Sequence, residues 1–153
     1  MLLVALALIA QIPAGEEPVD SYPQSNANAG ATPVAGDGLW QAFGGEGGVA
    51  RIVDRLVTLN VADPRISDIF KGQDLVRLRR TLKEQFCYIL NGGCTYTGRD
   101  MKSAHKDMGL QTADMGALVE NLQAAMRAEH VPFAAQNRLL AKLAPMKRDI
   151  VER

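Results

Sequence analysis

Residues 96–110 read YTGRDMKSAHKDMGL, and His105, one of only two histidines in the chain, sits near the centre of that stretch. Thr97-Gly98 marks a turn, and Thr97 followed three residues later by Asp100 supplies a cap for a short helix. On that helix Met101, Ala104, His105 and Met108 share one face, and Gly109 then stops it. A neutral imidazole among soft apolar neighbours suits a metal or cofactor ligand; it also suits a core histidine whose ring is satisfied by a carbonyl. Spacing alone leaves both roles open.

Working outward, the patterning on either side is helical. Leu75, Leu78, Leu82, Phe86 and Ile89 form one stripe with Arg77, Arg79, Arg80, Lys83 and Glu84 off it, and Asn91-Gly92-Gly93 ends that helix. After His105, Met115, Leu118, Val119, Leu122 and Met126 make a second stripe. Val131-Pro132 opens a last helix carrying Leu139, Leu140, Leu143, Met146 and Ile150, with Pro145 predicted to kink it. Before the first stripe, Val49, Ile52, Val53, Leu56 and Val57 recur at helical spacing until Asp63-Pro64 stops them, and Ile66, Ile69 and Phe70 make an apolar corner. Leu39, Trp40 and Phe43 form a short apolar turn. The glycines that follow it, in Gly44-Gly45-Glu46-Gly47-Gly48, have neither a preceding strand nor a Gly-Lys-Ser/Thr ending, so close helix packing fits them better than a phosphate loop. The fold class is all-α.

Composition bounds the rest. The 153 residues, 47% of them hydrophobic, provide for one domain of ordinary size. Seventeen basic residues balance seventeen acidic ones, which leaves no electrostatic footprint for nucleic acid or an anionic membrane surface. The first ten residues, MLLVALALIA, are almost wholly apolar, too short for a comfortable membrane span and suited to the core of a secretory signal, with cleavage after Ala14. No basic residue precedes the run, so residues 1–14 read as a weak signal peptide or an apolar leader. Export to the periplasm follows from the first reading and a cytoplasmic location from the second. Residues 15–38 are rich in Gly, Pro, Ala, Asn and Ser and read as a flexible linker, leaving 39–153 as the domain.

The motifs Leu39-Trp40-x-x-Phe43-Gly44-Gly45, Ala62-Asp63-Pro64, Ile69-Phe70, Leu90-Asn91-Gly92, Tyr96-Thr97-Gly98, Met101-Lys102-x-x-His105 and Leu143-Ala144-Pro145 arrive in an order that resembles the group 1 truncated haemoglobins. The resemblance covers Leu39 to about Val151 and needs no gap between Ala62 and His105. It implies a shortened globin, two helices stacked on two with haem b between them. By position, His105 matches the family's proximal iron ligand, Phe70 the phenylalanine on the haem face and Tyr96 the aromatic at the haem edge. Met101, Met108 and Leu118 would line the same pocket. The implied partners are diatomic gases, with oxygen carriage or nitric oxide consumption as candidate roles. The latter would need a separate reductase, since the chain has no flavin or nicotinamide motif.

On the gas-binding side the chain departs from the family, which often has tyrosine at the position of Val57 and polar residues at those of Leu78 and Leu82. With three aliphatic residues there, a hydrogen bond of about 1–2 kcal/mol to bound dioxygen is missing. Fast oxygen release and quick autoxidation are the expectation, with carbon monoxide and nitric oxide bound comparatively well. Gln85 is the nearest amide, one position off the stripe and expected to face away. Arg79, Lys83 and Lys102 are the candidate propionate partners, weighed against a solvated surface role. His130 reads as a surface residue.

Cys87 and Cys94 lack the companions of a zinc or iron-sulfur site; they flank the glycine turn either as a disulfide or as reduced packing thiols. No arrangement for acid/base or nucleophilic catalysis is present. The competing function is a cofactor-free helical interaction module in which His105 is ordinary core. For the globin reading, a monomeric or weakly associating protein is expected.

Overall fold

A computed structural model of the chain describes residues 12–152, and among them every regular element is helical. The helices are α1 (Gly38–Ala42), α2 (Gly45–Ala62), α3 (Ser67–Phe70), α4 (Leu75–Ile89), α5 (Met101–Ala104), α6 (Thr112–Ala128), α7 (Phe133–Leu143) and α8 (Lys147–Ile150). None is long and apolar enough to cross a membrane.

Helix α2 is central and packs on both α4 and α6. Its residues Val49, Ile52, Val53, Leu56 and Val57 are no more than 2% exposed, and burying each contributes about 1.5–3 kcal/mol of transfer free energy. The entry to α2 depends on glycine. Gly44 and Gly45 take left-handed φ values of 82° and 63°, and a Cβ on Gly48 would stand 2.0 Å from the carbonyl oxygen of Phe43. The exit follows the expectation: Asp63 is extended, because the ring of Pro64 excludes the helical conformation from the residue before it. Pro145 likewise breaks the last helix, which ends at Leu143, passes through a 3-10 turn (Ala144–Met146) and resumes as α8.

The predicted stripes divide into closed and open halves. In α4, Phe86 and Ile89 are buried while Leu75, Leu78 and Leu82 are half-buried; in α6, Leu122 and Met126 are buried while Met115, Leu118 and Val119 are half-buried. All of the open residues but Leu75 surround one cavity.

Residues 15–38, expected to be a flexible linker, are instead laid along α4 and the loop that follows it. The 3-10 turn Asn26–Ala29 packs on α4, Ala29 is 0% exposed, and the Val34 amide donates to the carbonyl of Ile89 at 2.9 Å. The Glu16 carboxylate pairs with Arg80 and Arg77. The side chains that make this stretch look like a linker are polar groups whose partners lie far along the chain. Of the expected leader, residues 1–11 lie outside the described residues.

Cys87 and Cys94 form a disulfide with Cα atoms 5.6 Å apart, joining the last turns of α4 to the loop leading to Tyr96. For so short a loop the chain-entropy estimate is a contribution of about 2–3 kcal/mol. Urea unfolding with and without reductant should show the midpoint falling accordingly, and Cys94→Ser should reproduce the fall. A midpoint indifferent to reductant would refute it.

Candidate functional site

The loop before His105 is fixed on three sides. The backbone N–H and the hydroxyl of Thr97 donate to Glu84 at 2.9 and 2.6 Å, and Arg80 donates to the Thr97 hydroxyl at 2.7 Å. The Tyr96 hydroxyl donates to the carbonyl of Arg99 at 2.8 Å, while its amide donates to the Asn26 side chain at 2.9 Å. Helix α5 then makes a single turn. Its cap is Asp100 rather than Thr97: the Asp100 carboxylate accepts from the Ser103 amide at 2.9 Å and the Ser103 hydroxyl at 2.8 Å, while Thr97 is engaged with α4. Gly109 does not end the helix, which stops at Ala104 and passes directly into a turn over residues 105–107.

His105 sits at the C-terminal cap of α5, half-buried. Its Nδ1 lies 2.7 Å from the carbonyl oxygen of Met101. A carbonyl only accepts, so Nδ1 carries the proton and Nε2 keeps its lone pair. Nε2 has no hydrogen-bond partner among the described residues. Burial lowers the imidazole pKa below its ordinary value, opposed by the hydrogen bond to Met101, so the ring is neutral at neutral pH. The folded pKa lies below that of the unfolded chain, so the unfolded chain takes up the proton first. The haem-free protein should therefore keep this contribution to stability above about pH 6.5 and lose it as pH falls through the lower folded value. A His105→Leu variant should lack this part of the acid slope in urea midpoints measured from pH 7.5 down.

Around His105 lies a cavity of ≈ 390 Å³, within the range of cofactor and ligand sites. Phe70, Leu78, Leu82, Tyr96, Met101, Met108 and Leu118 line it with His105, as expected, and its wall is dominated by aliphatic and thioether groups. Val57 does not. It is 0% exposed within the core, because the cavity face of α2 is the i, i+4 pair Leu56 and Asn60, and Val57 is turned by about 100° from Leu56. The basic residues also differ from the expectation. Arg79 and Lys83 pair with Asp54 at 3.5 and 3.0 Å, and Lys102 is exposed and off the cavity. Arg77 and Arg99 line it instead, with the ring of Tyr22 5.8 and 5.5 Å from their guanidinium carbons. His130 is exposed.

Other residues line the cavity without having been placed there from the sequence, among them Gln85, Asn60 and Leu56. Gln85, expected to face away, is buried on the wall with its amide donating to the Ala29 carbonyl at 2.8 Å. Asn60 is 1% exposed, and Leu56 lies one turn before it. A legible signal existed: Asn60 is a polar residue at the next i+4 position of an otherwise apolar stripe.

No group of three His, Cys, Asp or Glu side chains that could hold a metal ion gathers among the described residues. A bare ion therefore finds no cage, whereas one free imidazole nitrogen on an apolar cavity fits a metal that brings its remaining ligands in a flat organic ring.

Comparison with known proteins agrees. The family model of bacterial-like globins matches residues 38–152. The chain belongs to the bacterial-like globin family. This globin is 28% identical over 112 residues to the group 1 truncated haemoglobin of Mycolicibacterium paratuberculosis, covering 73% of the chain and 82% of the relative. Among solved structures, the truncated haemoglobin of Tetrahymena pyriformis in its Fe(III) form superposes with a TM-score of 0.72 at 26% identity, over 75% of this globin and 98% of that chain. The 2/2 haemoglobin of Synechococcus sp. PCC 7002, solved in the cyanomet state with covalently attached haem, gives 0.70 at 23% identity over 75% and 98%, a likeness of fold. The helical sandwich of a truncated globin is thus the architecture of this chain, and haem-based binding of gases is the chemistry of its family.

Proposed function

We propose that the cavity holds one haem b, that Nε2 of His105 would ligate its iron, and that dioxygen, carbon monoxide or nitric oxide would bind reversibly there. The observation that carries this reading is the proton-free Nε2 on the cavity, its tautomer set by the 2.7 Å contact to the Met101 carbonyl. The cofactor supplies reversible coordination of small gases. The chain supplies the rest. Met101 holds the imidazole in the ligating tautomer, as outer partners of metal-bound histidines do. Phe70, Leu78, Leu82, Met108 and Leu118 exclude water from the reactive face. Arg99, and Arg77 beside its pairing with Glu16, present cations suited to the propionates.

The physiological role follows from which gas is retained: oxygen carriage, or consumption of nitric oxide with electrons from a separate reductase. The Cys87–Cys94 disulfide supports an oxidising compartment. Absorption spectra of the haem-reconstituted protein in the ferric, ferrous and carbon monoxide forms test the reading. A five-coordinate ferrous spectrum that becomes six-coordinate with carbon monoxide supports it. Failure to retain haem would favour a cofactor-free module.

A further inference from the structure

Asn60 is among the least exposed polar residues of the chain, at 1%, and its amide orientation follows by elimination. The side-chain nitrogen of Asn121 lies 3.0 Å from one polar atom of Asn60 and 3.1 Å from Oδ2 of Asp63. Asp63 is held ionised by Arg65, whose side chain and backbone both donate to it, so its carboxylate only accepts. The Asn121 atom facing Asp63 is therefore the NH₂ group, and the Asn60 atom facing that NH₂ is the oxygen Oδ1. Nδ2 of Asn60 is the arm left over.

That arm has no hydrogen-bond partner among the described residues. Yet no side-chain nitrogen or oxygen fully enclosed by protein lacks a partner, so Nδ2 opens on the cavity whose wall Asn60 forms. A donor in so dry a place is costly unless an acceptor meets it. Leu56, one turn before it on α2, is apolar, as are Ile66 and Leu122 of the same cavity, and no group among the described residues accepts from Nδ2, which leaves a ligand in the cavity as its acceptor.

We propose that Asn60 is the hydrogen-bond donor to the gas held in this cavity, directly or through one water, supplying what Val57, Leu78 and Leu82 lack. The inference rests on the gas-binding reading above. It reverses the expectation of loosely held oxygen: a clamped N–H favours a ligand whose outer atom carries partial negative charge, dioxygen above carbon monoxide. Asn121 and Asp63 are positioning residues that keep the amide from turning its oxygen inward.

The test compares the haem-loaded wild type with Asn60→Leu and Asn121→Leu, reading the carbon monoxide stretch by infrared and the oxygen dissociation rate. A donor near the carbon monoxide oxygen favours back-donation from iron and weakens the C–O bond. Asn60→Leu should therefore raise the stretching frequency and release oxygen about fivefold to tenfold faster. Asn121→Leu leaves the cavity wall intact but frees the amide, and should split or broaden the carbon monoxide band. Unchanged band and rate in both variants, with only the stability of the haem-free protein reduced, would make Asn60 purely structural and overturn the proposal. If Asn60→Leu does not fold, an unchanged band in Asn121→Leu overturns it alone. A wild type with no carbon monoxide band would instead sink the gas-binding reading, and this inference with it.

Discussion

Replacing His105 by glycine is expected to strip the protein of stably bound haem, and free imidazole added to the variant to restore it. Removing an outer partner of a metal-bound histidine typically costs about 10–100-fold in affinity; removing the proposed ligand itself should cost more than a hundredfold. The fold itself should survive. His105 is half-buried at the end of a one-turn helix, and its side chain makes one hydrogen bond, to the carbonyl of Met101, worth about 1 kcal/mol. Circular dichroism of the haem-free variant should therefore match the wild type while the Soret band is lost. Imidazole diffusing into the vacated space separates a missing ligand from a damaged pocket. Retention of an unaltered ferrous spectrum in the variant would show that another side chain holds the iron.

The second large effect concerns the fold. Gly48→Ala places a methyl group 2.0 Å from the backbone oxygen of Phe43, where no side-chain rotation relieves the clash, so α1 and α2 must separate. Overpacking of this kind costs on the order of 3 kcal/mol, a fall in Tm of roughly 6–12 °C for a domain of this size. Gly116→Ala is the control. Gly116 lies inside α6 with no atom within 4 Å of the added Cβ, and alanine there should leave Tm unchanged or raise it by a few degrees. Equal melting of Gly48→Ala and wild type would mean that the α1–α2 junction tolerates a side chain after all.

What could be read from the residues alone was mostly local. Asp63-Pro64, Pro145 and the apolar spacings specify helix ends and faces through bonds within a few residues, and these agree with the structure. The cavity lining was legible wherever a motif pinned a position, as for Phe70, Tyr96, Met101 and His105. Val57 was misplaced because the apolar stripe of α2 is broad, and a choice between adjacent members is a rotation of about 100° that only packing decides. The basic residues of the cavity were not legible for a different reason. Arg77, Arg79 and Arg80 lie within one turn of α4, and what separates them is Asp54 on α2 and Glu16 far upstream. The disulfide was left undecided because spacing permits it without requiring it.

Glu16 carries one more consequence. Its carboxylate is 1% exposed and neutralised by Arg80 and Arg77, while Val19 lines the cavity and Tyr22 donates to the Thr97 carbonyl. All three precede the first residue that the family model matches. The unit that folds is therefore larger than the unit that is recognised. An expression fragment trimmed to the matched boundary would take from Arg77 and Arg80 the carboxylate they share, leaving Arg80 with Glu84 alone, remove part of the cavity wall and loosen the loop that leads to His105. It would test a different molecule.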